Sequence, residues 1–204
     1  MADGVVKRFS SQTVLRGLDL ELRAGEVLSV TGPNGTGKST LLRVLAGTLL
    51  PDAGSVLVGG LPAGSRGARA LVATSYNDDR SWYGRLSSWE NLRFWQSLRG
   101  PWPGRAAELM EALGLTAVRD KPVAVLSSGQ RARLGVVRAL VAQTPVLLLD
   151  EPTRGVDAAA ARVVAAALTA AAGAGQTVVV ATHDDTLRER IGGRRLSLSL
   201  GSEQ

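Results

Sequence analysis

Hydrophobic positions along the chain fall into two kinds of run. Val27-Leu28-Ser29-Val30, Leu71-Val72-Ala73-Thr74, Pro145 to Leu149 and Thr177 to Ala181 are short, continuous and rich in branched residues. Such runs read as strands buried on both faces, as in a parallel sheet. Between and after them, Leu41-Leu42-x-Val44-Leu45, Ser88 to Leu98, Gly104 to Leu113, a run from Ser128 through Val141, and Ala158 to Ala171 carry helical spacing. The first segment differs. Val5 to Leu22, with Val14-Leu15 and the alternating Leu18-Asp19-Leu20-Glu21-Leu22, predicts short antiparallel strands bounded by turns. Pro51-Asp52-Ala53-Gly54 breaks the chain before a strand at Ser55 to Val58. Gly59 to Arg69 reads as a polar, glycine-rich connection, and Arg195 to Leu200 as a last edge strand. The pattern as a whole predicts an α/β fold.

Residues 76–125 change character. They hold Trp82, Trp89, Trp95 and Trp102, all four tryptophans, together with both tyrosines, Tyr76 and Tyr83. Pro101 and Pro103 separate the two helical runs there. This stretch is expected to be a small helical subdomain inserted between two sheet strands. Its aromatics suit the core of such an insert or a docking surface, since aromatics are favoured at interface hot spots.

Length and composition narrow the reading. At 204 residues the chain suits one domain with room for a subdomain. Cysteine is absent, which excludes disulfides and thiolate metal sites. Asp3, Lys7 and Arg8 interrupt any basic-then-apolar signal segment. From Val163 to His183 no side chain carries a formal charge, a length that could nominally cross a bilayer. Gly173, Gly175 and Gln176 split it into an alanine-rich helical half and a Val178-Val179-Val180 strand half, so no membrane span is expected. The net charge of +6 comes mostly from scattered arginines, the lysines being Lys7, Lys38 and Lys121. Without a continuous basic stripe or interleaved aromatics, no specific nucleic-acid site is expected.

Candidate chemistry centres on Gly32-Pro33-Asn34-Gly35-Thr36-Gly37-Lys38-Ser39-Thr40, placed between a predicted strand and a predicted helix. In that context G-x-x-x-x-G-K-[ST] is a phosphate loop. Its glycines let amide N–H groups and a helix N-terminus converge on one anion. Lys38 adds a mobile charge toward the β and γ phosphates, and the Ser39 hydroxyl can ligate Mg²⁺. Asp150 and Glu151 follow an apolar strand and emerge at the same end of the sheet. There Asp150 can hold Mg²⁺, while Glu151 can orient or activate water. His183, the single histidine, also falls at a strand end, within reach of the γ-phosphate or of the Glu151 water. Phe9 offers a face for a purine or simply packs at a strand edge. A serine opening the run at Ser127-Ser128 is a natural helix cap.

These segments together resemble the ATP-binding subunit of an ABC transporter over nearly the whole chain. Gly32 to Thr40 resemble the Walker A loop, and Leu147 to Asp150 with Glu151 look like Walker B and its catalytic glutamate. Leu126-Ser127-Ser128-Gly129-Gln130 is similar to the LSGGQ signature, with Ser128 in place of its first glycine. Gly155-Val156-Asp157 looks like the D-loop, His183 like the switch histidine, and Phe9 like the adenine-stacking aromatic. The resemblance implies a P-loop NTPase core of ABC-ATPase type, with an N-terminal antiparallel β part, a helical insert at 76–125 and the signature at 126–130. It implies an ATPase using ATP and Mg²⁺. Asn34, Gly35, Thr36, Gly37, Lys38, Ser39 and Thr40 would hold the nucleotide. Ser127, Ser128, Gly129, Gln130 and Asp157 would hold the nucleotide of a second, facing subunit, either a copy or a close homologue.

The family usually places a glutamine after the strand at 71–74; here Asp78 stands there, with Asn77 beside it. Either offers oxygen to Mg²⁺ or its water, and Asp78 is the third candidate metal ligand with Ser39 and Asp150. Asp79 to Leu86 is similar to the matching region of exporter-type subunits and leans the reading toward export. Free energy would pass to a polytopic membrane permease docked near Asp78 to Arg99, with this chain peripheral on the cytoplasmic face. A soluble ABC ATPase without a transporter, or an ATP-dependent regulatory switch with weak turnover, would share the nucleotide motifs.

Overall fold

A computed structural model describes residues 1–10, 12–76, 82–98 and 105–199. Two sheets organise them. The first is antiparallel: β1 (Ala2–Phe9), β2 (Gln12–Leu20), β4 (Ala53–Val58) and β5 (Leu61–Pro62), in the order β2-β1-β4-β5. The second is parallel throughout: β3 (Val27–Thr31), β6 (Val72–Ser75), β7 (Val146–Asp150), β8 (Thr177–Ala181) and β9 (Arg194–Ser197), in the order β6-β7-β8-β3-β9.

The continuous apolar runs follow from this layering. Successive side chains of a strand point to opposite faces, and both faces of the parallel sheet are covered. Leu147 and Leu149 of β7, with Val178 and Val180 of β8, enter one core. That core is shared with α5 (Ser128–Val141) and α6 (Ala158–Gly173) through Leu134 and Leu168. Leu148 and Val179 enter the other, where they meet Val5 and Leu15 of the antiparallel sheet and Leu41 of α1 (Lys38–Leu45). The antiparallel sheet is therefore the lid over α1, and it reaches the loop that precedes this helix.

Several boundaries move. β1 starts at Ala2 because its first residues pair with Leu20 and Val56. The expected polar connection at 59–69 contains β5 and a short helix, α2 (Arg66–Ala70), which Ser65 caps by accepting from the Ala68 N–H at 3.2 Å. β6 begins at Val72 because Leu71 closes α2. β9 pairs in parallel with β3 over Leu28 to Thr31, and Leu200 lies outside the described residues.

Between β6 and β7 come α3 (Ser88–Ser97), α4 (Arg105–Ala112), 3-10 turns at Thr116–Val118 and Val123–Val125, and then α5. Ser87 and Glu90 form a capping box at α3. The tryptophans here mostly stack on arginines. Arg138 of α5 lies 4.3 Å from the Trp82 ring and 5.1 Å from the Trp95 ring, and Arg119 lies 4.1 Å from Trp89. Tyr83 remains half exposed, and Trp102 lies outside the described residues. Among the described residues no helix is long and apolar enough to cross a membrane; the run from 163 to 183 is the end of α6 followed by β8.

Candidate nucleotide site

β3 ends at Thr31, the chain turns through 32–37, and α1 begins at Lys38. Gly37 is the N-cap of α1 at φ 97° and makes no side-chain capping bond. A Cβ there would run into Val14 of β2, so glycine is required both by conformation and by the approach of the antiparallel sheet. The first N–H groups of α1 are thereby left facing a cavity of about 390 Å³.

One wall of this cavity is the loop and helix start: Asn34, Gly35, Gly37, Lys38, Ser39 and Thr40. Phe9 and Val14 form a second wall from the antiparallel sheet, with Phe9 47% exposed. Asp150, Glu151 and Arg154 come from the end of β7, Tyr76 from the end of β6, and Arg43 from the next turn of α1. Of residues 34–40, Thr36 alone does not line the cavity. Its side chain is buried, and its hydroxyl donates to the Pro33 carbonyl at 2.9 Å, so it shapes the loop.

Lys38 is buried, and its ammonium donates to the carbonyls of Gly32 at 2.7 Å and Pro33 at 3.0 Å. Asp150 is pushed above the ordinary carboxylate range, chiefly because burial disfavours its charge, with Glu151 adding repulsion. A hydrogen bond from Ser39, and the charges of Lys38 and Arg43, pull the other way. That hydrogen bond sets a hydroxyl oxygen beside a carboxylate oxygen, two hard donors of the kind Mg²⁺ takes alongside phosphate oxygens. Among the described residues no group of three or more His, Cys, Asp or Glu is placed to hold a metal, and a hydroxyl-carboxylate-phosphate site requires none.

Glu151 sits at φ 48°, a left-handed conformation uncommon for a side chain of this kind. Its backbone N–H donates to the Ala181 carbonyl at 2.8 Å, which ties the end of β7 to the end of β8. The His183 Nδ1 lies 2.9 Å from Glu151 Oε2, and the backbone N–H of His183 and the hydroxyl of Thr182 also approach that oxygen at 3.5 and 3.4 Å. All three approach Oε2, so the carboxylate is aimed from one side, and no described residue bonds its other oxygen. The His183 side chain is 68% exposed and that of Glu151 15%.

The signature-like segment is elsewhere. Ser127 caps α5 in a capping box, its hydroxyl accepting from the Gln130 N–H at 3.1 Å while Gln130 accepts from the Ser127 N–H at 2.9 Å. None of Ser127, Ser128, Gly129 or Gln130 lines the cavity. Gly129 packs so closely on the Gly155 carbonyl that a Cβ would collide with it. Asp157 caps α6 by accepting from the Ala160 N–H at 2.8 Å, and this bond lowers its pKa. Asp78 lies outside the described residues.

The order of these elements decides a family. Residues 15–154 match the family model described as ABC transporter. The chain belongs to the ABC transporter ATP-binding family. It is 42% identical over 188 residues to the cytochrome c biogenesis ATP-binding export protein CcmA of Rhizobium meliloti (strain 1021), covering 90% of each chain. It is 39% identical over 157 residues to the aliphatic sulfonates import ATP-binding protein SsuB of Pseudomonas putida, covering 76% of this chain and 56% of that one. Among solved structures, the dimeric structure of MJ0796, a bacterial ABC transporter cassette, superposes with a TM-score of 0.85 at 25% identity, covering 97% of this chain and 93% of that one. This ABC protein is an ATPase, built on the P-loop α/β fold of the family.

Val14, Arg43, Tyr76, Arg154 and Thr182 were not among the residues singled out by sequence. Two had a readable signal: Arg43 is one helical turn after Ser39, and Arg154 three residues after Glu151. Val14 and Tyr76 depend on which sheet edge covers the loop.

Proposed function

We propose that this ABC ATPase drives substrate export through a separate membrane-spanning partner, and that two ATP-binding chains face each other to do so. Lys38 and the N-terminal amides of α1 hold the β and γ phosphates, with Asn34, Gly35, Gly37, Ser39 and Thr40 as the cradle and Thr36 shaping it from within. Ser39 and Asp150 would hold Mg²⁺, which would neutralise charge on the phosphate oxygens. Phe9 and Val14 form the wall against which an adenine ring stacks. Glu151 accepts a proton from, or orients, the water that attacks the γ-phosphorus, and His183 keeps its carboxylate aimed. Ser127 to Gln130 and Asp157, which lie away from the chain's own cavity, complete the site of the facing subunit.

The observation that carries this reading is the contact of His183 with Glu151, a residue that lines the same cavity as the phosphate loop. The dimeric cassette of the same fold supports the facing arrangement. The export direction, and a place in cytochrome c biogenesis, are carried from the Rhizobium meliloti relative. The permease would dock near the stretch from Asp78 to Arg99, of which α3 is the described helix, with this chain peripheral at the cytoplasmic surface.

Tagged wild type and Glu151→Gln should be recovered side by side from their own solubilised membranes in ATP. The variant is expected to hydrolyse ATP about 10²–10⁴ times more slowly, the usual range for loss of a general base, while binding ATP normally. It should also retain one polytopic membrane protein more strongly than wild type. Recovery of soluble partners alone, without enrichment in the variant, would move the protein to the soluble ABC ATPases.

A further inference from the structure

The turn after β7 carries a charged side chain to which the proposed reaction assigns no role. The Arg154 N–H donates to the Glu151 carbonyl at 3.1 Å and closes a four-residue turn. The Thr153 hydroxyl donates to Asp184 at 2.9 Å, anchoring this turn to the start of α7 (Asp185–Ile191), and Pro152 and Thr153 are buried beneath it. Arg154 is left exposed on the cavity wall, beside Glu151.

The other two cations of the cavity are engaged. Lys38 is bonded to the carbonyls of its own loop, and Arg43 lies 5.6 Å from the Tyr76 ring and acts on Asp150. The Arg154 guanidinium makes no hydrogen bond, ion pair or ring contact with any described residue. A triphosphate seated on the loop ends nearest the carboxylate that handles the attacking water. A cation rising from that same turn therefore meets the terminal phosphate and not the inner two. Guanidinium is suited to this, because its paired N–H donors match two phosphate oxygens at once.

The geometry points to Arg154 as a further residue that binds the terminal phosphate in this chain's own cavity, and so lets the cavity tell ATP from ADP. The assignment rests on the nucleotide site proposed above. It is tested by equilibrium binding of fluorescent ADP and of a fluorescent, non-hydrolysable ATP analogue, with magnesium, to wild type, Arg154→Ala and Arg154→Lys. Each chain is kept dilute enough to be monomeric by ultracentrifugation. R154A should lose about tenfold in affinity for the ATP analogue, the size of one charge-assisted hydrogen bond, with ADP affinity within about twofold of wild type. R154K should recover part of the loss. Equal losses for both nucleotides, or none for either, overturn the assignment. So does a loss of turnover confined to paired chains with monomer discrimination intact, which would make Arg154 a contact of the facing site. Should wild type bind neither nucleotide, the nucleotide site itself fails and takes the arginine with it. An unchanged R154A beside a binding wild type fails the arginine alone.

Discussion

Two helices of this protein start from glycine- and serine-rich turns, and they finish those starts in opposite ways. α1 begins at a left-handed Gly37 that makes no side-chain capping bond, so its first amides face the cavity without that partner. α5 begins at Ser127 with both halves of a capping box made, so the chain itself answers the Gln130 amide and the Ser127 amide. The carboxylates nearby repeat the contrast. Asp150, beside α1, is held away from its charged form by burial. Asp157, near α5, is held in its charged form by the amides of α6 that it caps. One region is built short of partners, as a site for an anion and its metal must be; the other is nearly complete without one. Of the two helix starts, the one whose side-chain cap the sequence withholds is the one that lines this chain's own cavity.

The comparison breaks most visibly at Gly37. Gly37→Ala requires a side chain at φ 97° and pushes Val14 off the loop. A misplacement of about 1 Å in the cradle costs about 10²-fold, so kcat/KM for ATP should fall by about that factor, measured by phosphate release. Retention of near-wild-type turnover would mean that the cradle tolerates a shift the geometry forbids.

Ser127→Ala removes a cap that the chain uses for itself. Chemical denaturation should show a loss of about 1 kcal/mol, the usual cost of an N-cap serine. Affinity for nucleotide in the monomer should stay unchanged, because Ser127 does not line the cavity. A stability-neutral S127A would show that the box is not formed in solution.

The smallest effect sharpens the electrostatic half of the comparison. Burial raises the folded-state pKa of Asp150 above the ordinary carboxylate value, so its ionisation costs stability. Below the unfolded pKa both states are protonated and no cost exists; it grows as pH rises through the folded value and is complete above it. Asp150→Asn should therefore raise the thermal midpoint at neutral pH and lose that advantage toward pH 3, although activity falls. For Asp157 the folded pKa is lowered, so its stabilisation is present above the unfolded value and lost on acidification. Asp157→Asn should lower the midpoint at neutral pH, with the difference closing in acid. Matching signs for the two variants at neutral pH would erase the distinction between the regions.

Sequence alone determined a good deal here, because the relevant chemistry is local. A strand, a glycine-rich turn and a helix in that order make a phosphate loop whatever surrounds them, and an apolar strand delivers Asp150 and Glu151 to the same sheet end. Continuous apolar runs announce strands covered on both faces, which is why β3, β7 and β8 were legible almost to the residue. Only the tertiary structure decided which wall faces the loop. Val14 covers Gly37 through a sheet that pairs β1 with both β2 and the distant β4, a register no local pattern encodes. Likewise, Glu151 meets His183 because β7 and β8 are neighbours, and the Arg154 guanidinium has no partner among the described residues, whereas Lys38 and Arg43 have theirs. Local backbone preference is written in neighbouring residues, whereas the availability of a charge depends on every element packed around it.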